Sequence, residues 1–166
     1  MITPDFVRLM ARYNQWQNGS LYSAADDLSD LDRWEDRGAI FHSIHETLSH
    51  LLWGDQIWMA RFWDVPQPEV KSVAESVSMI ADWSELKSRR AEMDLTILDW
   101  SQSVSQNFLD ETLSWYSGSQ KRDVYAKKGK LVAHMFNHQT HHRGQVHAMV
   151  TAAGGKPEDT DLFILE

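Results

Sequence analysis

His134, His138 and His142 recur four residues apart in the run His134-Met135-Phe136-Asn137-His138-Gln139-Thr140-His141-His142-Arg143-Gly144-Gln145. On an α-helix, residues four apart lie over one another on one face, so His138 and His142 can turn two imidazoles toward a single point. One helix offers a divalent metal ion that kind of pair. Eight histidines in 166 residues supply roughly 0.4 such pairs by chance, so spacing alone is a weak signal. Position adds weight. Both residues fall within the apolar stripe of a helix, where two imidazoles without partners are costly to desolvate. The alternative is a His-rich helix with one buried, hydrogen-bonded imidazole and several solvated ones.

Two ligands do not hold an ion tightly, and a helix bundle draws further ligands from a facing helix. His50 is the best candidate, because it shares a strip with Ser43, Thr47 and Gly54, whose small side chains leave space before it. His42 and His45 are alternatives, offset from that strip. His134 is about 12 Å from His142 along a straight helix, which makes it a pocket residue rather than a co-ligand. His141 points off the shared face. Three neutral imidazoles leave an open coordination position, as in catalytic zinc sites, where a bound water or thiol turns acidic near neutral pH. The ligand set suits zinc or nickel, with iron, manganese and copper also compatible. Spacing assigns no catalytic residue; His134 and Gln145 are the candidates, as groups that position substrate. Asn137 and Gln139 read as polar helix surface.

The elements that must position these residues are helical. From Asp5 to about Asp26, Phe6, Leu9, Met10, Tyr13, Trp16 and Leu21 follow spacings of three and four, with Pro4 suited to the first turn. Asp27 to Arg37 reads as a polar loop. A second helix spans about Gly38 to Phe62; Ile44, Leu48, Leu51, Trp58, Met59 and Phe62 form one apolar stripe, with Trp53 and Ile57 opposite. A helix apolar on two faces is buried on both. Pro66 and Pro68 break the chain. Ser72-Val73-Ala74-Glu75 can cap a short helix, and Asp82-Trp83-Ser84-Glu85 a long one reaching about Gln106 through Leu86, Met93, Ile97, Trp100 and Val104. Alternation in Thr112-Leu113-Ser114-Trp115-Tyr116, turn chemistry at Ser117-Gly118-Ser119 and the pair Val124-Tyr125 predict a short hairpin. The last helix runs from about Lys130 to Ala153, ended by Gly154-Gly155, with a stripe of Leu131, Met135, Val146 and Met149. Four long helices with short breaks predict an all-α antiparallel bundle.

Composition narrows the partners. The length fits one domain, residues 1–166. A formal charge of −8 and no Lys/Arg run argue against nucleic acid, and Lys127-Lys128-Gly129-Lys130 reads as a solvated helix start. No apolar stretch approaches a membrane span, and the N-terminus lacks the pattern of a signal peptide. With no cysteine any metal must be held by imidazole or carboxylate, and a cytoplasmic location fits. Eight tryptophans point to large aromatic contacts in the core or at an interface, and the two-faced second helix suggests a dimer.

The sequence resembles the DinB-like (YfiT-like) family of metal-dependent enzymes, which shares only its name with a DNA polymerase. Tyr13-Asn14-Gln15-Trp16 is similar to the family's first-helix motif, Ser43 to Phe62 to its second helix, and Phe136 to Gln145 to its signature. Asp159-Thr160-Asp161-Leu162 is similar to its C-terminal motif, so the likeness covers nearly the whole chain. The resemblance implies a four-helix up-down-down-up bundle, a homodimer, and metal held by His50, His138 and His142. Relatives include thiol S-transferases that use low-molecular-weight thiols such as bacillithiol, and mycothiol-dependent isomerases. The expected function is therefore a divalent-metal enzyme, a transferase or hydrolase acting on small molecules, with thiol S-transfer foremost. The rival is a non-catalytic, dimeric, metal- or ligand-binding stress protein.

Overall fold

The long helices begin where a short polar side chain can take an orphan backbone N–H. Thr3 caps α1 (Pro4–Asp26), Ser43 caps α3 (Ile44–Phe62) and Asp82 caps α5 (Trp83–Ser103). The fourth, α7 (Lys128–Ala152), has no side-chain cap; the chain enters it directly from a strand, and Lys128 N–H donates to Glu111 O at 2.8 Å. Short helices α2 (Asp30–Trp34), α4 (Val73–Ser76) and α6 (Gln106–Asp110) lie between, and β1 (Thr112–Ser117) pairs antiparallel with β2 (Arg122–Lys127). This computed structural model describes residues 2–118 and 120–165. Met1, Ser119 and Glu166 lie outside the described residues, including the turn position expected at Ser119.

Packing sets the helix directions. One apolar cluster joins Val7 and Ala11 of α1 to Met59 and Phe62 at the end of α3, Ile97 and Trp100 late in α5, and Val132 and Phe136 early in α7. The other joins Leu21 and Ala25 late in α1 to Ile44 and Leu48 early in α3, Leu86 in α5, and Val146 and Val150 late in α7. Helices α1 and α7 therefore run one way, α3 and α5 the other: an up-down-down-up bundle. Because α3 and α5 are parallel, residues 63–82 must travel back along the bundle. That crossover is tied to α3 by Trp53 Nε1 to Val70 O (2.8 Å), Ser49 Oγ to Ser76 O (2.7 Å) and a His45 Nε2 contact with Ile80 O (2.7 Å). The second buried face of α3 is thus covered by the chain's own crossover.

Several boundaries differ from expectation for local reasons. The loop predicted at 27–37 contains α2, whose Ser29 and Asp32 form a reciprocal cap. The second helix starts at Ile44 rather than near Gly38, since Gly38 and His42 adopt positive φ of 73° and 57° in a tight turn. The third long helix stops at Ser103, and α6 follows. Lys128 pairs with Glu111 at 2.6 Å, and a Cβ at Gly129 would meet Leu109 O at 3.1 Å, so this basic start of α7 is packed against α6.

Between the apolar clusters lies a buried polar layer. Arg90 bridges Asp55 (2.6 Å) and Asp94 (2.9 Å). Asp94 accepts from Asn18 (2.8 Å) and Asn14 (3.2 Å), Gln139 Nε2 donates to Asp55 (2.8 Å), and Arg143 donates to Asn14 Oδ1. Gln139, expected on the surface, is fully buried. It supplies a donor that a buried carboxylate needs.

Candidate metal centre

Helices α3 and α7 are antiparallel neighbours, so His50 faces the pair His138 and His142 across their groove. One ring nitrogen from each of the three lies within 4.8 Å of the others, an arrangement able to hold a metal ion. The Nε2 atoms of His50 and His138 are 3.3 Å apart. Two ligands on a tetrahedral ion with bonds near 2.05 Å are separated by about 3.3 Å, the same spacing.

The hydrogen bonds behind the rings assign their tautomers. Ser76 Oγ donates to Val73 O at 2.7 Å, leaving its lone pair for the Nδ1–H of His50 at 2.8 Å. His142 Nδ1 donates to Gln145 Oε1 at 2.8 Å, while Gln145 Nε2 reaches His141 Nε2 at 3.3 Å. Both rings therefore direct an Nε2 lone pair into the groove, and this outer support is what metal-binding imidazoles use. Acceptors that converge in a half-dry space can be satisfied by a cation between them. Burial holds His50 down to about 4 and His138 to about 3, with the neighbouring imidazoles adding to the effect. Burial also lowers His142. All three are neutral at pH 7, the form that binds metal.

Close packing creates the space. A Cβ on Gly54 would fall 2.8 Å from His138 Cε1, so glycine lets the imidazole lie against α3. Phe41 covers the other side, with its ring centroid 3.9 Å from His50 and 5.3 Å from His142. Its placement follows from the turn before α3, where His42 takes a left-handed backbone and donates its N–H to Ala39 O. Trp53 stands 5.5 Å from His50.

The other histidines go elsewhere. His134 is exposed beside Trp58, with its ring 6.2 Å from that of His138, at the mouth of the groove and outside the trio. His42 is exposed, 3.4 Å from Asp36. His45 is buried between Trp34 and Trp83. Asn137 is exposed as expected, and Gln145 serves as the partner of His142. Ser76 and Phe41 were not anticipated. Ser76 follows the predicted capping motif, but the residue types carry no sign that the crossover returns it to His50.

Comparison with known proteins agrees with this geometry. A chain named Protein DinB from Bacillus subtilis (strain 168) is 26% identical over 168 aligned positions, covering 96% of this chain and 94% of the relative. A profile of the DinB family matches residues 1–166. With that match spanning the helices that carry the histidine trio, the chain belongs to the DinB family.

Proposed function

We propose that this protein is a metal-dependent enzyme of small-molecule chemistry, with a divalent ion held by His50, His138 and His142, and that its reaction moves a thiol to or from an electrophile. One observation carries the reading: imidazole nitrogens from α3 and α7 converge within 4.8 Å, two of them locked as acceptors by Ser76 and Gln145. An ion bound there supplies a Lewis-acid point that acidifies a coordinated water or thiol. Zinc or nickel fits the nitrogen ligands best, and iron, manganese or copper is compatible.

The chain's own residues do the rest. Ser76 and Gln145 hold the imidazoles in one tautomer, Phe41 and Trp53 restrict water, and His134 meets substrate at the mouth of the groove. In thiol transfer, the sulfur forms a bond to an electrophilic carbon. The leaving group departs with the bonding pair, and the thiol proton passes to solvent. The resemblance of the Phe136–Gln145 signature to thiol-using relatives supports this class, in a cytoplasmic homodimer.

A second reading, a non-catalytic dimeric metal- or ligand-binding stress protein, draws on the cover that Phe41 provides: His50 and His142 are only 4% and 6% exposed. Elemental analysis of untagged protein, with His138→Ala as control, tests both readings. About one equivalent of metal per chain, lost in the variant, is expected from a single site using this ligand. Absence of metal under all loading conditions overturns the enzyme and the metal-binding form of the second reading. Metal-dependent turnover with a panel of thiols and electrophiles then separates them: none, with no exchangeable ligand on the ion, leaves the binding protein.

A further inference from the structure

The groove that holds the histidine trio continues past it. On α3 the positions His50, Gly54, Trp58 and Arg61 lie on one helical stripe, facing His142, His138 and His134 on α7. Arg61 is a further heptad along from Gly54, about 10 Å at 1.5 Å per residue. Its guanidinium carbon lies 4.7 Å from the ring centroid of Trp58 and 5.4 Å from that of Trp115. Trp58 and Trp115 meet edge to face at 6.0 Å, and Trp58 also meets His134 at 5.3 Å. A continuous line of rings thus joins the candidate metal ligand His138 to Arg61.

Arg61 differs from the arginines of this chain that form ion pairs. Arg8, Arg33, Arg37, Arg89 and Arg90 each pair with a carboxylate. Arg61 has no such partner among the described residues, although the chain carries 24 acidic residues. It is half-buried, and burial lowers its pKa. Contact with aromatic rings occupies the face of a guanidinium and leaves its edge donors free, the geometry that takes a carboxylate or phosphate in bidentate fashion. The hairpin has a role here. Its alternation turns Leu113 and Trp115 onto the bundle while Tyr116 stays exposed, and Trp115 closes the far side of Arg61.

We propose that Arg61, held by Trp58 and Trp115, is an anion-recognition site for the far end of the substrate, so that the enzyme selects small molecules carrying a carboxylate or similar anion about two helical turns from the atom that meets the metal. This rests on the metal-centred reading above and adds to it the charge and length of the substrate.

The test uses cobalt(II)-loaded protein titrated with mercaptoacetate, mercaptobutyrate and mercaptohexanoate, each against the mercaptoalcohol of equal length. Visible absorption reports on the metal end. In the wild type the longer acids are expected to bind about tenfold more tightly than their alcohols, the preference of a charge-assisted contact. Mercaptoalkylamines should bind more weakly than the alcohols. Arg61→Gln should bring acid, alcohol and amine together while leaving the alcohol affinity in place. Equal binding of acid and alcohol by the wild type, or a preference that survives in Arg61→Gln, overturns the proposal. A parallel titration with hexanoate, followed by tryptophan fluorescence, does not involve the metal. An Arg61-dependent response upholds the anion site, and no response in the wild type overturns it. Should no thiol perturb the cobalt spectrum, the thiol-transfer reading fails while the hexanoate arm still decides Arg61.

Discussion

Two polar clusters share the same stretches of helix and have opposite chemistry. His138 and His142 face the α3–α7 groove, while their sequence neighbours Gln139 and Arg143 enter the bundle interior. Gly54 makes room for His138, and the adjacent Asp55 accepts from Arg90 and Gln139. The interior cluster pairs its charges within itself: Arg90 bridges Asp55 and Asp94, while Asn14, Asn18 and Gln139 donate to the two carboxylates and Arg143 donates to Asn14. The groove cluster does not, since its imidazoles bring acceptors together with no cation of their own. A network whose charges pair from within specifies packing, and converging imidazoles without a charge partner can receive a metal ion.

Breaking the closed cluster should have the largest effect. Arg90→Met strands Asp55 and Asp94 in the interior and is expected to cost about 3–5 kcal/mol in urea unfolding of the metal-free protein. The folded fraction should keep its metal affinity. A loss below about 1 kcal/mol would mean that the layer is not an essential ion pair, and a parallel fall in metal affinity would make the two clusters a single unit.

The groove answers in the reverse sense. Gly54→Ala places a methyl where the His138 ring lies, and metal affinity should fall about 10–100-fold, as for other changes that misplace a ligand. The metal-free protein should be no less stable, because alanine favours a helix interior by about 1 kcal/mol over glycine. Competition with a chelator gives the first quantity and melting the second. Unchanged affinity would show that His138 is not a ligand in this pose.

The smallest effect concerns His45, a buried histidine that stands apart from both clusters. Burial depresses its pKa below 6.5, outweighing the contact with Ile80 O that raises it. The unfolded chain therefore takes up this proton first as pH falls. The stabilisation is fully present above pH 6.5 and is lost as pH drops through the depressed folded value. Between pH 7 and 5, His45→Gln should lose less stability than the wild type. Identical pH slopes would show that His45 titrates alike in both states.

Much of the fold follows from local chemistry. Caps at Ser72 and Asp82, the prolines at 66 and 68, the alternation around Trp115 and the glycines after Ala153 mark ends that the structure keeps within a few residues. Less legible were segments where special backbone geometry decides the path. In residues 27–37 only the Ser29–Asp32 capping pair marks α2, and the left-handed turn at His42 delays α3 while delivering Phe41. Gln139 reads as surface in the sequence because single polar residues on a helix signal surface until a buried carboxylate is found opposite them.

The sequence by itself determined that His138 and His142 would share a helix face and that a small-residue strip would run beside His50, because helical periodicity depends only on spacing along the chain. Tertiary structure decided which histidine answers them, which stays buried alone, and that a crossover serine and Gln145 would orient the rings. Those outcomes depend on helix direction and on the return path of residues 63–82. Both are set by burial of apolar surface across the whole bundle, and no local run of residues records either one.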